Sequence, residues 1–463
     1  MLNRLYPLLS AAALAGLTLF ATAPAMAATQ PTVAYVSPTG SNTTGTGSLT
    51  APYATISQAV QSVAPGGTVV VEPGTYQESV SITNAVRIVA DAALSGSAAN
   101  TILDASGQSN GIVISGAAAS GTQVSGLTIE NADNHAVFVQ NSNDVVLSHL
   151  TITHNGLKSV ANPAIAEDKA IEMVGTANGD ISDNTLTNNG GGIGLADNGA
   201  INPGAPAPAG TAAPSLANVI RDNTISGNST GCGIVIASYN AGEGVIDNVA
   251  IGNTVSLSPA GIVVAADTPN SVARGNQVVH NTAFDNFLPG IILHSNAPGD
   301  VVTDTAVVGN TVYGNQADPE VKTDAGPTGI IAIGVVTPVT HTIIAGNALN
   351  SEDYGVFLVN APGTLGINDN TYASSVQKPV YPATWATRFP LLPTQITPRH
   401  HDAFFYAGTW SLANNTVAIA KYNAAGQLIQ VYPQHNAANI AQVIGSLANG
   451  TFVPTGHYSI PQA

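Results

Sequence analysis

The chain has 463 residues, a formal net charge of −16, and only 8% Asp, Glu, Lys and Arg, against about a quarter in an average soluble protein. An acidic, charge-poor surface excludes nucleic acid as a partner, because that needs a basic face. It also excludes unaided binding of an acidic polysaccharide, which would need a bridging cation or a local basic patch. The single cysteine, Cys232, excludes an intramolecular disulfide and reads as a buried, inert thiol.

Residues 1–27 read as a secretory signal peptide. Arg4 supplies the positive start, Leu5 to Phe20 the apolar run, and Ala25-Met26-Ala27 the cleavage site. The expected location is secreted, periplasmic or cell-surface, with no membrane insertion after cleavage. Residues 28–50 are rich in Gly, Ser and Thr and open on an edge strand, Val33 to Ser37. Residues 52–64 place Ile56, Val60 and Val63 on one face of an amphipathic helix. PGGTVVVEPGTYQESVSIT then reads as turn, strand, turn, strand.

The middle of the chain repeats. Asp or Gly, then Asn-Thr, is followed after about eight residues by Gly-Ile and two apolar residues. The phrase recurs from 183, 222, 252, 280 and 309, with a degenerate copy at 346, at a period of about 28 to 30 residues where no loop intervenes. Such a repeat buries a core only by stacking on its neighbours. Short β-branched segments with Gly, Asn and Asp turns make each copy one coil of a parallel β-solenoid. Asn184, Asn223, Asn253, Asn281, Asn310 and Asn347 share one register, and Asn189, Asn228, Asn286 and Asn315 a second. Stacked amides both donate and accept, so each series should form a ladder. Two earlier coils place Leu127, Ile129, Val137, Val139, Leu150, Ile152, Ile171 and Met173 inward. Insertions at 156–169, 199–217 and 316–328 interrupt the coils, and solenoids carry function on such loops.

YVSPTGS, PYATISQAV and PGGTVVVEPGTYQESVSI, together with the Asn-Thr repeats, resemble secreted right-handed parallel β-helix proteins of the pectate-lyase-like superfamily. The resemblance spans about residues 33–372 and implies an all-β solenoid over residues 28–375 with an N-terminal capping helix. That superfamily includes lyases, hydrolases, esterases, epimerases and proteins without known chemistry. The fold therefore does not name the activity. The Arg-rich signature of pectate lyases, the polygalacturonase pattern and the pectin methylesterase motifs are missing here.

Two groups could carry chemistry. Aligning the early coils puts His135 beside Lys169 and Asp133 beside Glu167, with Glu172 outward next to Phe138. Lys169 or His135 could serve as the base of a uronate lyase or epimerase. Asp133, Glu167, Asp168 and Glu172 could hold Ca²⁺ to neutralise the sugar carboxylate. A solvated corner with one incidental ion pair is the plainer reading. The second group, Asp197, Tyr239, Asp267 and His294, lies at nearly one register where four Gly-Ile strands end. It reads as a substrate-binding rim or as a polar edge. Asp197 and Asp267, two coils apart, are roughly 10 Å from each other, near the upper separation for inverting glycoside hydrolysis.

Residues 376–399 hold five prolines and read as a linker or an extended strap, and residues 400–463 as a β cap or small β module with a hairpin at TVAIAKYNAAGQLIQVY. Outward positions of the main sheet are apolar at Phe138, Val235, Val263, Ile292, Ile331 and Phe357, which suggests coverage. The sequence thus points to an exported β-helix protein that binds or acts on polysaccharide. The alternative is a non-catalytic surface or envelope protein that uses the apolar sheet and the C-terminal aromatics.

Overall fold

The computed structural model describes residues 30–91, 100–157, 169–197, 213–317 and 326–383, and the backbone of strands 390–391, 404–411, 416–423 and 428–436. The signal segment therefore lies outside the described residues. Three eleven-stranded sheets run the length of a right-handed parallel β-helix, and a five-stranded sheet joins them over part of it. In one coil the chain passes through Asp180–Ser182, the Asn-Thr turn, Thr185–Thr187, and the Gly-Ile strand Gly191–Ala196. It returns by Ser215–Leu216 of the five-stranded sheet to Val219–Arg221, beside its starting strand. We call the sheets after the motifs that begin them: the Gly-Ile sheet, the Asn-Thr sheet, the return sheet (Asp180–Ser182 and its neighbours) and the short sheet.

The core is a set of aliphatic columns. Ile193, Ile234, Ile262, Ile291, Ile330 and Val356 lie in one parallel register and all are fully buried. Each such side chain contributes about 1.5–3 kcal/mol relative to exposure. The eight early inward positions read from sequence are also buried. The first amide ladder forms in full, and the second only in part: Asn189 does not bond Asn228, Asn228 Nδ2 donates to Ser258 Oγ at 3.0 Å, and Asn286 Nδ2 to Asn315 Oδ1 at 2.8 Å. Asn184 Nδ2 donates to Asn223 Oδ1 at 2.9 Å, Asn223 to Asn253 at 2.9 Å, and Asn253 to Asn281 at 2.9 Å. The series continues through Asn310 and Asn347 to Asn370. Each Oδ1 also accepts the backbone N–H of the preceding Asn, and each Nδ2 donates back to a carbonyl, as Asn253 does to Ile220 at 2.9 Å. The second series ends at Glu352, whose Oε1 accepts from Asn315 N at 3.2 Å and Nδ2 at 2.9 Å. A third ladder, Asn218 to Asn248 to Asn276, forms at the corner after the short sheet.

The glycine of each Gly-Ile pair has a steric cause. A Cβ on Gly233 would sit 2.8 Å from the carbonyl oxygen of Gly261, and one on Gly329 3.0 Å from that of Gly355. Successive coils approach too closely at this corner for a side chain. A different device operates where the chain enters the Asn-Thr strand. Asp222 (φ 56) and Gly252 (φ 69) are left-handed in consecutive coils. The Asp222 carboxylate lies 2.5 Å from where a Gly252 Cβ would be. The side chain of one coil fills the space that the glycine of the next leaves open.

At the N-terminal end, the expected helix forms over Ile56–Ser62, with Thr55 capping Gln58 N. Ile56, Ala59 and Val63 are buried against the first coil. Glu78 accepts from Ile56 N at 2.7 Å and Ser57 N at 2.9 Å, which satisfies two free donors of the first turn. At the other end the first part of the Pro-rich segment 376–399 is extended. Lys378–Ala383 is a strand paired in parallel with Tyr354–Val359. It is the last strand of its sheet, where prolines are tolerated because the outer N–H row has no partner to serve. The hairpin expected near the C-terminus appears as Thr416–Asn423 paired antiparallel with Leu428–Asn436, within a four-stranded sheet. Its aromatic side chains lie outside the described residues.

Candidate functional site

The outward face of the Gly-Ile sheet carries both candidate groups. Phe138, Glu172, Gly194, Val235, Val263, Ile292, Ile331 and Phe357 form one register row. This row is not an open groove. Phe138, Val263, Ile292, Ile331 and Phe357 are only 1–7% exposed. Glu172 is the ionisable residue of this row, and its carboxylate lies over Gly194, where there is no side chain.

The first group is only partly assembled among the described residues. His135 and Lys169 are neighbours as expected, but both are buried, at 2% and 5% exposure. His135 Nδ1 lies 2.7 Å from the Lys169 carbonyl oxygen, so Nδ1 carries the proton and donates it. The ring stacks on Phe138 at 5.3 Å. Burial pushes its pKa down to about 4, only partly offset by that hydrogen bond, so the imidazole is neutral at pH 7. The Lys169 amine reaches toward Gly231, 2.9 Å from where its Cβ would be. Asp133 is half-buried before the strand begins, whereas Glu172 sits in mid-strand opposite Phe138, so these two carboxylates occupy different rows. Glu167 and Asp168 lie outside the described residues. Among the described residues no three His, Cys, Asp or Glu side chains converge to hold a metal ion.

The second group is assembled where the Gly-Ile strands end, but its members have different roles. Asp197 aligns with Ser238, not with Tyr239, and is fully buried. It accepts from Ser238 Oγ at 2.6 Å and from Tyr239 N at 2.7 Å. Burial raises its pKa, and these donors oppose the rise. Asp197 is therefore withdrawn from the surface and positions Tyr239. Asp267 and His294 do come together, with Oδ1 to Nε2 at 3.6 Å and side chains 11% and 12% exposed. Asn296 Nδ2 also donates to Asp267 Oδ1. His294 stands in register after Ala196, Ala237 and Ala265, so a floor of three alanines leads to it. Tyr239 packs against Phe138, Val174 and Ala196 on that side.

Sequence reasoning missed the residues that hold this rim. Asp300 is fully buried and accepts from Ala297 N at 2.6 Å and from Asn296 N at 3.2 Å. Ser271 Oγ adds a bond at 3.3 Å. Burial raises the Asp300 pKa, and the nearby Asp267 charge adds to the rise. Asn240 donates to the Asp197 carbonyl at 2.9 Å. The available signal was a turn sequence after each Gly-Ile strand, Ser-Tyr-Asn, Asp-Thr-Pro-Asn-Ser and Asn-Ala-Pro-Gly-Asp, rich in residues that bond their own backbone.

The stacked sheets and laddered turns define a right-handed parallel β-helix. The chain belongs to the family described as "Protein of unknown function (DUF1565)", whose model matches residues 39–206 and 200–336. No curated protein sequence matches it. Similar solved structures include the Azotobacter vinelandii mannuronan C-5 epimerase AlgE4 A-module, at 16% identity and TM-score 0.40 over 69% of this chain and 91% of that one. An alginate lyase from Paenibacillus sp. str. FPU-7 is 15% identical, with TM-score 0.43 over 71% and 95%. PfbA, a surface adhesin of Streptococcus pneumoniae, is 12% identical, with TM-score 0.46 over 80% and 93%. Similarity at this level transfers no activity. No helix among the described residues is long and apolar enough to cross a membrane.

Proposed function

We infer that this is an exported β-helix protein that binds polysaccharide at the end of its Gly-Ile sheet. The observation that carries the reading is the Asp267–His294 pair at 3.6 Å on consecutive coils, with Tyr239 at the strand end of the coil before. The carboxylate accepts from sugar hydroxyls, the imidazole donates or accepts, and the tyrosine ring offers an apolar face to a sugar ring. An anionic rim on a chain of net charge −16 favours a neutral glycan over a polyuronate. Lyase or epimerase chemistry at Lys169 and His135 has less support, because both groups are buried and His135 already donates to a carbonyl. The surface-protein alternative is weakened in the same way, since the apolar row it relies on is largely buried.

Affinity electrophoresis in gels cast with neutral and uronate polysaccharides, with and without Ca²⁺, tests this reading. Retardation by a neutral glycan is expected, weakened several-fold in Asp267→Asn and His294→Ala. Equal retardation of the variants would remove the rim from the site. Retardation by a uronate polymer alone, dependent on Ca²⁺ and lost in Lys169→Ala, would return the function to the first group.

A further inference from the structure

The outward face of the Asn-Thr sheet has a composition unlike any other face. Thr151, Thr185, Thr224, Thr254, Thr282 and Thr311 occupy a single register row across six consecutive coils. Two residues along each strand, Thr153, Thr187, Ser226 and Ser256 form a second row, continued by the stacked rings of Phe284 and Tyr313. No charged residue occurs in either row from Thr151 to Tyr313.

Threonine suits strands in general, and charge ladders repel, but these rules alone do not produce such a row. The return sheet obeys the same rules, and its corresponding row reads Val146, Asp180, Val219, Val249, Gln277 and Ala306. The hydroxyls of the threonine row also stay outside the internal hydrogen-bond network, whereas in the second row Ser226 Oγ pairs with the buried Ser256 Oγ at 3.0 Å and Thr153 Oγ1 with His154 Nδ1 at 3.0 Å. Thr340 Oγ1 bonds Thr303 Oγ1 at 3.0 Å on the short sheet, so facing threonines can pair in this solenoid. Thr185, Thr224, Thr254, Thr282 and Thr311 make no side-chain hydrogen bond among the described residues. Thr185, Thr224 and Thr311 are exposed, and the others of that row half-exposed.

The result is a rigid lattice. Hydroxyl and methyl groups of the threonine row repeat at about 4.8 Å along the solenoid, and the second row stands about 6.6 Å away along the strand. β-branching restricts each side chain at χ1, and the parallel register fixes its backbone. A periodic, uncharged array on an acidic molecule complements an uncharged solid whose surface groups repeat at similar distances. The oxygen lattice of ice has that character, and threonine offers it both a hydroxyl to join the lattice and a methyl to order the adjoining water. We propose that the Asn-Thr face is an ice-binding surface.

The test measures thermal hysteresis and ice recrystallisation on the exported chain, with serum albumin at equal mass as the baseline. The wild type is expected to hold ice growth below the melting point and to keep crystals small. Thr224→Lys combined with Thr254→Lys should abolish at least nine-tenths of the hysteresis. Gln277→Lys, on an exposed position of the return sheet, should leave it unchanged. Circular dichroism melts of all three chains separate loss of the face from loss of the fold. Thr224→Val with Thr254→Val, which keeps shape and branching, supplies a second folded probe and should lose less than the lysine pair. Wild-type behaviour equal to albumin overturns the proposal, as does an equal loss in the Gln277→Lys chain. Cosedimentation with crystalline cellulose in place of ice activity, lost in the lysine pair, assigns the face to a solid neutral polysaccharide and equally overturns it.

Discussion

His135 and Lys169 are joined through one ring nitrogen and one backbone carbonyl, 2.7 Å apart, on adjacent coils. The contact fixes the imidazole as a neutral donor inside the protein. Its folded pKa, about 4, lies below the ordinary 6.5. The unfolded chain therefore binds this proton first, and the contribution to stability is lost as pH falls from 6.5 toward 4. Glu352 behaves in the opposite sense. Burial lifts its pKa from 4.5 to about 7, with Asp353 and Asp285 adding to the rise. The folded chain keeps that proton, and stability is lost as pH rises from 4.5 to 7. The two slopes oppose each other between about 4.5 and 6.5. We expect His135→Gln to make the melting temperature fall more steeply with pH across this window than in the wild type, and Glu352→Gln to make it fall less steeply. Melts in steps of half a pH unit measure both, and parallel profiles for the two variants would refute the assignment.

Asn253 supports its ladder from both sides. It accepts from Asn223 N and Nδ2, and donates to Asn281 Oδ1 and to the carbonyl of Ile220. Asn253→Ala should cost about 3 kcal/mol or more, because several buried groups lose partners together. Asn253→Asp keeps the acceptors but removes the donors and buries a charge, so it should be milder at pH 4 than at pH 7. Urea titrations at both values distinguish the cases.

Gly252 is left-handed and lies under the Asp222 carboxylate. Gly252→Ala should destabilise by about 1–2 kcal/mol from backbone strain alone, with contact on the carboxylate in addition. Asp222→Gly in the same chain should recover the contact part and leave the strain. Full recovery, or none, would show that one of the two effects is missing.

These positions also show what the sequence could and could not reveal. The columns, the capping helix, one ladder in full and part of a second follow from periodicity, because a solenoid repeats its physics with its residues. The third ladder, Asn218 to Asn276, lacks the neighbouring Thr that marks the first and was overlooked. The site is harder, because it depends on orientation rather than spacing. Asp197 and Asp267 stand two coils apart in similar phrases. One residue of register turns the first inward to Ser238 and leaves the second at the rim. Register at a strand end is set by turn geometry, which the one-dimensional pattern does not carry. His135 and Lys169 were correctly paired, but their burial depends on what packs over the outer face.

Ser238 offers a test of the rim itself. Its hydroxyl donates to Asp197, and its Oγ accepts from Val272 N at 3.0 Å. Ser238→Ala leaves the Asp197 carboxylate with one donor fewer and should cost about 1–3 kcal/mol. Because Asp197 also holds Tyr239 N, glycan retardation should weaken in this variant although Ser238 is itself fully buried. A destabilised chain with unchanged retardation would detach Tyr239 from recognition.

The amide ladders have a direction. In the series from Asn184 to Asn347 each Nδ2 reaches the next coil and each Oδ1 serves the previous one, so an unfinished stack presents bare donors at its C-terminal side. Asn370 closes one series on the carbonyl of Ile367, within its own turn, at 3.0 Å. Glu352 closes the other with a group that, when ionised, receives but cannot pass a hydrogen bond onward. It acts as a terminator rung. The ladder is thus stopped by side-chain chemistry one turn before the sheet itself ends, and an asparagine at 352 would carry its donors onward toward the segment that leads into Lys378–Ala383.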